Sequence, residues 1–444
     1  MSAAAYDMAM KGTRRRFGCA AAACLLVAFG GADGAADEVP APDAAGVTPK
    51  GPPPAGFTQW FNPSTAPFIP VPLIGTDPNS GTTLGILPVW LKTDDNHQIR
   101  RIIAPDILHN PYFGYGIDGR LYAYSSTDKQ WSVDAGIKQR VERTIDAEYQ
   151  IGRLRDQRWS VNYSVIYDRS GVPRFYGIGN DSPRSHETNY TNGQELAQVQ
   201  VGLNLNHDWQ ILYTGRIRRV DVTAGTLTGV PTLETRFRDV IGSGITNLVL
   251  DRVSVIYDTR DDLTVPSRGM EWIAYGGLAS RSGILNDSMY SEAGLDGRNV
   301  WPVGPKTVLA AHVALRYLPG SSDRVPFWAL SSIGGGESVT GGDQPLRGYG
   351  QGRFYDRNSF YVGAELRRTV LSFNAVSTLV DIEMAPFVDL GRVFSRTGTL
   401  PLEQLHRVVG VGFRGIARPF VVGKVDVGYG SEGIAIFTGL NYPF

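Results

Sequence analysis

The chain has 444 residues, 43 of them basic and 43 acidic, and two cysteines, Cys19 and Cys24. This even balance predicts no nucleic-acid partner, because such partners are bound through an excess of basic side chains. Both cysteines lie in the first 36 residues, so a chain exported without that segment would have neither disulfides nor a thiolate metal site.

Residues 1–36 are typical of a cleaved signal peptide. A basic start at Arg14, Arg15 and Arg16 is followed by an uncharged apolar run from Phe17 to Gly30, and small residues close the segment at Gly34–Ala36. The apolar run is too short for a permanent membrane-spanning helix. Removal of this segment takes away four basic and two acidic residues and leaves the exported chain nearly neutral.

Residues 37–67 are predicted to form a proline-rich periplasmic linker. They contain eight prolines, including Pro52, Pro53 and Pro54, and show no apolar periodicity. The segment of 31 residues is also shorter than a compact domain of ordinary size. The function is therefore expected to reside in one unit, residues 68–444.

That unit is a series of segments in which apolar and polar residues alternate, which predicts an all-β fold. Trp131, Val133, Ala135 and Ile137 alternate with polar or small residues, as half-buried strands require. The pattern recurs, with turn-rich sequence between the segments, at 159–167, 197–206, 309–317, 360–366, 421–429 and 434–444.

A secreted β-sandwich array, a propeller and an outer-membrane barrel all show such alternation. Strands of about 10 residues with aromatic residues near their ends favour a transmembrane antiparallel β-barrel. The chain also ends on a strand whose Leu440, Tyr442 and Phe444 share one face, which is typical of an outer-membrane barrel signal. About 375 residues, at roughly 20–25 per strand and its connection, predict about 16 strands.

Three segments resemble the BamA/TamA outer-membrane assembly superfamily, also called the bacterial surface antigen family. The loop sequence PLRGYG, with Arg347, Gly348 and Tyr349, is similar to the Arg-Gly-aromatic motif of that family. Residues 257–269 (YDTRDDLTVPSRG) resemble its turn pattern, and residues 385–394 (APFVDLGRVF) resemble a late strand with an inward aspartate.

The resemblance implies a barrel in the Gram-negative outer membrane, surrounded by lipid, whose motif loop folds back into the lumen. Family members that insert or secrete proteins carry periplasmic polypeptide-transport-associated (POTRA) domains, and residues 37–67 leave no room for one, so the chain resembles a barrel-only branch. Two functions stay open. One is assembly or translocation of client outer-membrane proteins, with a periplasmic partner acting in trans, and the other is a channel or surface-structural barrel without client handling.

Strand register supplies partners for Arg347. Alternation after the loop places Glu365 on the lumen side, and the next strand places Asp389 there as well. A carboxylate can accept two parallel hydrogen bonds from an arginine. We therefore predict that Arg347 pairs with Asp389, with Glu365 close by, and fixes the loop to the inner wall. The alternative is an Arg347 that lines a watery pore.

No catalytic arrangement is indicated, and the protein is predicted not to be an enzyme. The six histidines lack metal-ligand spacing. An outer-membrane phospholipase would need a Ser–His pair in one membrane-facing site, whereas His312 lies in a strand with lumen-side parity, where a lone polar residue usually only lines the lumen. Nucleotide-binding and zinc motifs are absent from the sequence, so no cofactor is predicted.

Overall fold

The structure, a computed structural model, describes residues 69–93, 99–126, 128–152, 154–262, 265–283, 287–320, 323–335, 346–375, 378–395, 402–417 and 421–440. The predicted signal peptide and linker, residues 1–36 and 37–67, lie outside the described residues, as do Tyr442 and Phe444. Leu440 is the last residue of the final strand.

The described chain is almost entirely β-structure. Its 21 strands are β1 Ile69–Asp77, β2 Gly81–Thr93, β3 Ile99–Asn110, β4 Gly114–Ser126, β5 Lys129–Lys138, β6 Arg143–Ile151, β7 Trp159–Ser170, β8 Arg174–Phe175, β9 Thr188–Asn204, β10 Trp209–Ala224, β11 Gly244–Asp258, β12 Gly269–Ser280, β13 Ser288–Gly304, β14 Thr307–Tyr317, β15 Ser331–Ile333, β16 Phe354–Asp356, β17 Asn358–Ala375, β18 Thr378–Phe394, β19 His406–Ala417, β20 Val421–Gly430 and β21 Gly433–Leu440. One short α-helix, α1, covers Leu233–Arg236, and 3₁₀ turns cover Arg184–His186 and Phe327–Ala329.

Eighteen of these strands form a barrel, because β8, β15 and β16 are short pieces within the connections. Each barrel strand pairs antiparallel with the next one along the chain. The prediction of about 16 strands is therefore too low by two. Several connections have only two or three residues, such as 305–306 and 78–80, so each strand uses less chain than the sequence estimate assumed.

Side chains alternate between a polar interior and an apolar exterior, as a transmembrane barrel requires. On β7, Tyr163 and Val165 are exposed on the outer face, whereas Asn162 and Ser164 are buried inside. An antiparallel barrel satisfies backbone hydrogen bonds between strands, so lipid meets paired backbone groups. No helix among the described residues is long and apolar enough to cross a membrane, which has no bearing on spanning by strands.

The two ends of the barrel differ in the length of their connections. The links 171–187, 225–243, 318–357 and 395–405 all leave the same end, which we call the loop-side end. Apart from 259–268, the links at the opposite end have at most seven residues, and β1 begins and β21 ends there. Long external loops and short periplasmic turns are the usual arrangement in outer-membrane barrels.

Apolar side chains pack together at the loop-side end. This mouth cluster comprises Phe175, Tyr190, Val220, Val222, Leu233, Leu248, Leu250, Ala279, Met289, Tyr290, Leu318, Val325, Phe327, Ala329, Leu330 and Tyr355. It combines residues of the long links with strand residues near the loop-side ends of β9 to β13. The links therefore fold over this end of the barrel and bury one another there.

The first and last strands meet at a seam that differs from the other strand boundaries. Between the described parts of β1 and β21, no ladder register is formed, whereas every other pair of neighbouring barrel strands has one. The backbone N–H of Thr76 donates to Thr438 Oγ1 across the seam, at 3.2 Å. The barrel is thus nearly closed, with its weakest described boundary at the seam.

Candidate functional site

The motif loop, residues 346–357, leads from the lumen into β17 and carries Arg347 at its start. Leu346 is fully buried and has a φ of 99°, a backbone region that non-glycine residues rarely adopt. Such a conformation persists only where surrounding contacts determine it. Leu346 packs with Ile333, Phe387 and Val408, which hold the loop against the inner wall formed by β18 and β19.

Arg347 makes a two-pronged contact with Asp389 on β18. Its Nε donates to Asp389 Oδ2 and its Nη2 to Asp389 Oδ1, both at 2.9 Å. The backbone N–H of Arg347 also donates to Oδ2, at 3.0 Å. The hydroxyl of Tyr361 donates to Oδ1 at 2.9 Å, so Asp389 accepts four hydrogen bonds, which uses the full capacity of an ionised carboxylate.

The remaining side of the guanidinium faces Glu365 on β17 and Asp426 on β20. Arg347 Nη1 donates to Glu365 Oε2 at 2.9 Å and lies 3.6 Å from Asp426 Oδ1. The guanidinium carbon lies 3.5 Å from the ring centroid of Phe387, within the range of a cation–π contact. The structure thus brings Arg347, Asp389 and Glu365 together, and adds two partners that the sequence reading did not name.

Two more arginines complete the charge network on this wall. Arg414 Nη2 donates to Glu365 Oε2 and to Asp426 Oδ1, both at 3.0 Å. Arg367 Nε donates to Glu365 Oε1 at 2.6 Å. The arginine cluster, defined as Arg347, Arg367, Arg414, Glu365, Asp389 and Asp426, therefore has three positive and three negative groups.

This balance explains how so much charge is held in a buried place. Burial alone would lower the pKa of Arg347, but the charge of Asp389 and its hydrogen bonds hold that pKa well above its usual value. Arg347 belongs to the loop and not to a membrane-spanning strand. Removing one member of a buried ion pair typically costs about 3–5 kcal/mol, since the partner is left uncompensated. The loop tip is thus part of the charge balance of the wall.

The other two motif residues fit closely against β19 and the β20–β21 turn. A Cβ atom on Gly348 would lie 2.7 Å from a methyl group of Val408, closer than real Cβ contacts allow. The Tyr349 ring is buried, and its hydroxyl lies 2.8 Å from Ser431 Oγ and accepts a hydrogen bond from the Ser431 N–H. The motif therefore combines a charge, a residue without a side chain and an anchored ring.

The turn pattern at residues 257–269 lies at the opposite end of the barrel. Arg260 pairs there with Asp258, at 3.1 Å, and with Glu271, at 2.7 Å. Asp261 accepts hydrogen bonds from the N–H and hydroxyl of Ser267. Partial burial raises the pKa of Asp261, but these bonds and others from the backbone hold it below its usual value.

The sequence reading missed Asp426 and Phe387 as partners of Arg347, and Arg414 as a member of the arginine cluster. Each lies on the inner face of a strand whose neighbouring residues point outward. A charged residue between Val425 and Val427 was a detectable sign of an inward carboxylate. The pairing itself could not be found this way, because Asp426 comes 79 residues after Arg347 in sequence.

His312 faces the lumen, where its Nε2 lies 3.0 Å from Asp296 Oδ2 and its ring meets Tyr361 edge-on. His109 and His406 also lie in strands, β3 and β19. Within the described part of the chain, no group of three or more His, Cys, Asp or Glu residues is arranged to hold a metal ion.

Comparison with known proteins agrees with this architecture. The described barrel resembles the crystal structure of BamA from Haemophilus ducreyi lacking POTRA domains 1–3, with a TM-score of 0.51, 12% identity, and coverage of 80% of this chain and 75% of that one. It also resembles CdiB from Escherichia coli, with a TM-score of 0.50, 12% identity, and coverage of 80% and 67%. At these identities the likeness concerns the fold.

No curated protein matches the sequence. A family model, the Omp85 superfamily domain, matches residues 127–429, which is more than half of the chain. The matched region includes the motif loop, Asp389 and the turn at 257–269. The predicted membership of the BamA/TamA-type superfamily is confirmed, and the chain belongs to the Omp85 superfamily.

Proposed function

We propose that this protein is an outer-membrane barrel that assembles or translocates client polypeptides at its seam. The observation that carries the proposal is the boundary between β1 and β21, whose described residues form no backbone ladder. Unpaired strand edges bind other strands through main-chain hydrogen bonds. A client β-strand would pair with one of these edges, so that it would not have to pass through the loop-side end, where the links form the mouth cluster.

The motif loop supports a role at the seam because it contacts the hairpins on both sides of it. Asn79, in the β1–β2 turn, donates from Nδ2 to the carbonyl oxygen of Gln351 at 2.8 Å. Arg353 Nε donates to Glu432, in the β20–β21 turn, at 2.7 Å. In this proposal the arginine cluster fixes the loop, and the loop positions the two hairpins that flank the seam.

A cross-link across the seam tests the proposal directly. The exported chain would lack cysteines, so Thr76→Cys with Thr438→Cys gives a single pair at the observed contact. We expect the oxidised pair to abolish the cellular function, seen as loss of client proteins from the outer membrane, and reduction to restore it. A locked seam without any change in outer-membrane composition or cell phenotype would refute the seam mechanism.

A matched pair within one hairpin controls for oxidation and for the substitutions. Thr76 lies directly opposite Thr82 in the β1–β2 ladder, so Thr76→Cys with Thr82→Cys links strands that are already paired. This variant is expected to behave like the unmodified protein in both redox states. In the same strains, cross-linking of the seam to neighbouring proteins shows whether client proteins, or a periplasmic partner acting in trans, reach it.

A channel is the second candidate, and the acidic side of the lumen favours it. Asp106, Asp118, Asp134 and Asp146 point inward on β3 to β6 around one arginine, Arg120. A lumen lined by carboxylates would prefer cations. Planar-bilayer recordings distinguish the candidates. If the protein is a channel, the unmodified protein should conduct with cation selectivity. If it is a client-handling barrel, it should conduct only after Arg347→Ala frees the loop.

A further inference from the structure

Two arginines lie directly opposite each other on the outer surface of the barrel. Arg143 on β6 pairs in register with Arg169 on β7, near the loop-side end of both strands. Their outward position follows from alternation, because the flanking Thr144 and Asp168 are buried on the inner face. Arg140, exposed in the β5–β6 turn, adds a third guanidinium at the same rim. We call Arg140, Arg143 and Arg169 the rim arginines.

Within the part of the chain that the structure describes, the rim arginines have no carboxylate partner. Like charges directly opposite on neighbouring strands are destabilising. Arg143 Nη1 donates to the carbonyl oxygens of Lys138 and Glu142, at 2.6 and 2.7 Å, and Arg140 Nη1 donates to the Tyr112 carbonyl at 3.2 Å. Among the described residues, no Asp or Glu side chain lies within ion-pair distance of any rim arginine, so their charges are not neutralised by the protein.

The position of the pair relative to the apolar band points to the kind of partner. Two residues further into the barrel on the same outer face are Ile145, 51% exposed, and Tyr167, 39% exposed. Two residues of strand span about 7 Å. The guanidinium groups therefore sit just above the apolar exterior, at the depth of lipid headgroups. The rings of Tyr112 and Tyr115, which are exposed at the same end of the barrel, are typical of a membrane interface.

The next two strands of the barrel, one outward row deeper than Arg169, have a different charge pattern. On β9 and β10, the outward Glu195 lies directly opposite Arg219, so a carboxylate and an arginine face each other in register. Opposite charges in that arrangement attract. Arg219 therefore has a local counter-charge in register, whereas Arg143 has only Arg169.

We propose that the rim arginines bind the phosphate groups of membrane lipid in the leaflet at the loop-side end. The planar guanidinium matches phosphate oxygens with parallel hydrogen bonds, and Nε and Nη2 of Arg143 are not used by the described residues. A phosphate between Arg143 and Arg169 removes their mutual repulsion. In the outer membrane, the fitting lipid is the phosphorylated glycolipid of the outer leaflet, whose phosphates lie at this depth.

Binding of lipid A to the purified full-length mature barrel in detergent tests the proposal, with native mass spectrometry or a titration as readout. The charge of each arginine near an anionic lipid surface is worth about a fivefold change in affinity, so Arg143→Gln with Arg169→Gln should weaken binding about 30-fold. Arg219→Gln, on a nearby strand and level with Tyr167, should stay within about twofold of the unmodified protein. High salt should weaken binding by the unmodified protein.

Each other outcome overturns the proposal in a defined way. Equal lipid A affinity in the double variant and the unmodified protein excludes the rim arginines as the site. An equal loss in Arg219→Gln indicates general charge attraction. Displacement by inorganic phosphate at the same concentration as lipid A indicates a free-anion site. If the double variant does not fold, Arg169→Gln alone provides the test, because the Arg169 side chain makes no hydrogen bond to the described residues. This single variant should weaken lipid A binding about fivefold.

Discussion

The lumen has two charged walls that are built in opposite ways. On β17 to β20, three arginines meet three carboxylates, and one of the arginines arrives from the motif loop. On β3 to β6, Arg120 meets Asp106 at 2.5 Å and Asp134 at 3.4 Å, both on neighbouring strands, and Asp118 of its own strand at 3.8 Å. The first wall is balanced only when the loop is in place, whereas the second wall carries excess negative charge without any loop.

This difference separates structural charge from charge that couples distant parts of the chain. Each partner of Arg120 lies within 14 residues of it along the sequence, so two hairpins are enough to assemble them. Arg347 and Asp389 are 42 residues apart, and Asp426 is further still. The charge balance of the arginine cluster therefore depends on whether the motif loop lies against the wall, whereas that of the acidic wall does not.

The largest expected effect comes from removing the loop arginine. Arg347→Ala leaves three buried carboxylates against two arginines and should lower the free energy of unfolding by about 3–5 kcal/mol. Urea unfolding from lipid vesicles measures this loss. The fully buried position 346 provides a second readout, because Leu346→Cys should react with a maleimide only when the loop has left the wall.

Two further variants distinguish the ion pair from general damage at this site. Arg347→Lys keeps the charge but loses the planar fork, so its stability should lie between those of the unmodified protein and Arg347→Ala. Asp389→Asn combined with Arg347→Ala should cost less than the sum of the two single losses, because the partners interact directly. Unchanged urea midpoints and an unreactive Cys at 346 in Arg347→Ala would show that the loop does not depend on Arg347.

The acidic wall should respond differently to the matching change. Arg120→Met removes the central cation from three buried aspartates and should cost about 3 kcal/mol, the lower end for a broken buried pair. The loss should shrink at low pH, since protons neutralise the aspartates that Arg120 no longer balances. Reactivity of Cys at 346 should stay at the unmodified level, and an increase would mean that the two walls are coupled.

A smaller effect is expected where the loop backbone touches β19. Gly348→Ala places a methyl group 2.7 Å from Val408 and should cost about 1–3 kcal/mol, as overpacking usually does. Shortening the neighbour in Gly348→Ala with Val408→Ala should recover part of that loss. If the double variant is less stable than both single ones, the contact with Val408 is not the cause.

Much of the fold could be predicted from the sequence because barrel strands repeat with a period of two. The same parity placed Glu365 and Asp389 inside the lumen, and Leu366 and Val388 outside. Parity states which face a residue takes, but not which distant strand it meets. Asp426 and Arg414 therefore escaped prediction, as did the strand number, which depends on connections as short as 305–306.

The smallest expected loss of stability concerns Tyr349, the tyrosine of the motif loop. Tyr349→Phe removes the hydroxyl that meets Ser431 and should cost about 0.5–1.5 kcal/mol, the usual worth of one hydrogen bond. Ser431→Ala removes only the contact between the two hydroxyls and keeps the bond from the Ser431 N–H, so it should cost no more than Tyr349→Phe. The two changes together should cost no more than Tyr349→Phe alone, because that change already removes both contacts. A strictly additive pair would mean that the hydroxyls act separately. The ring of Tyr349, which meets the stacked rings of Phe354 and His406 edge-on, would then anchor the loop without help from the β20–β21 turn.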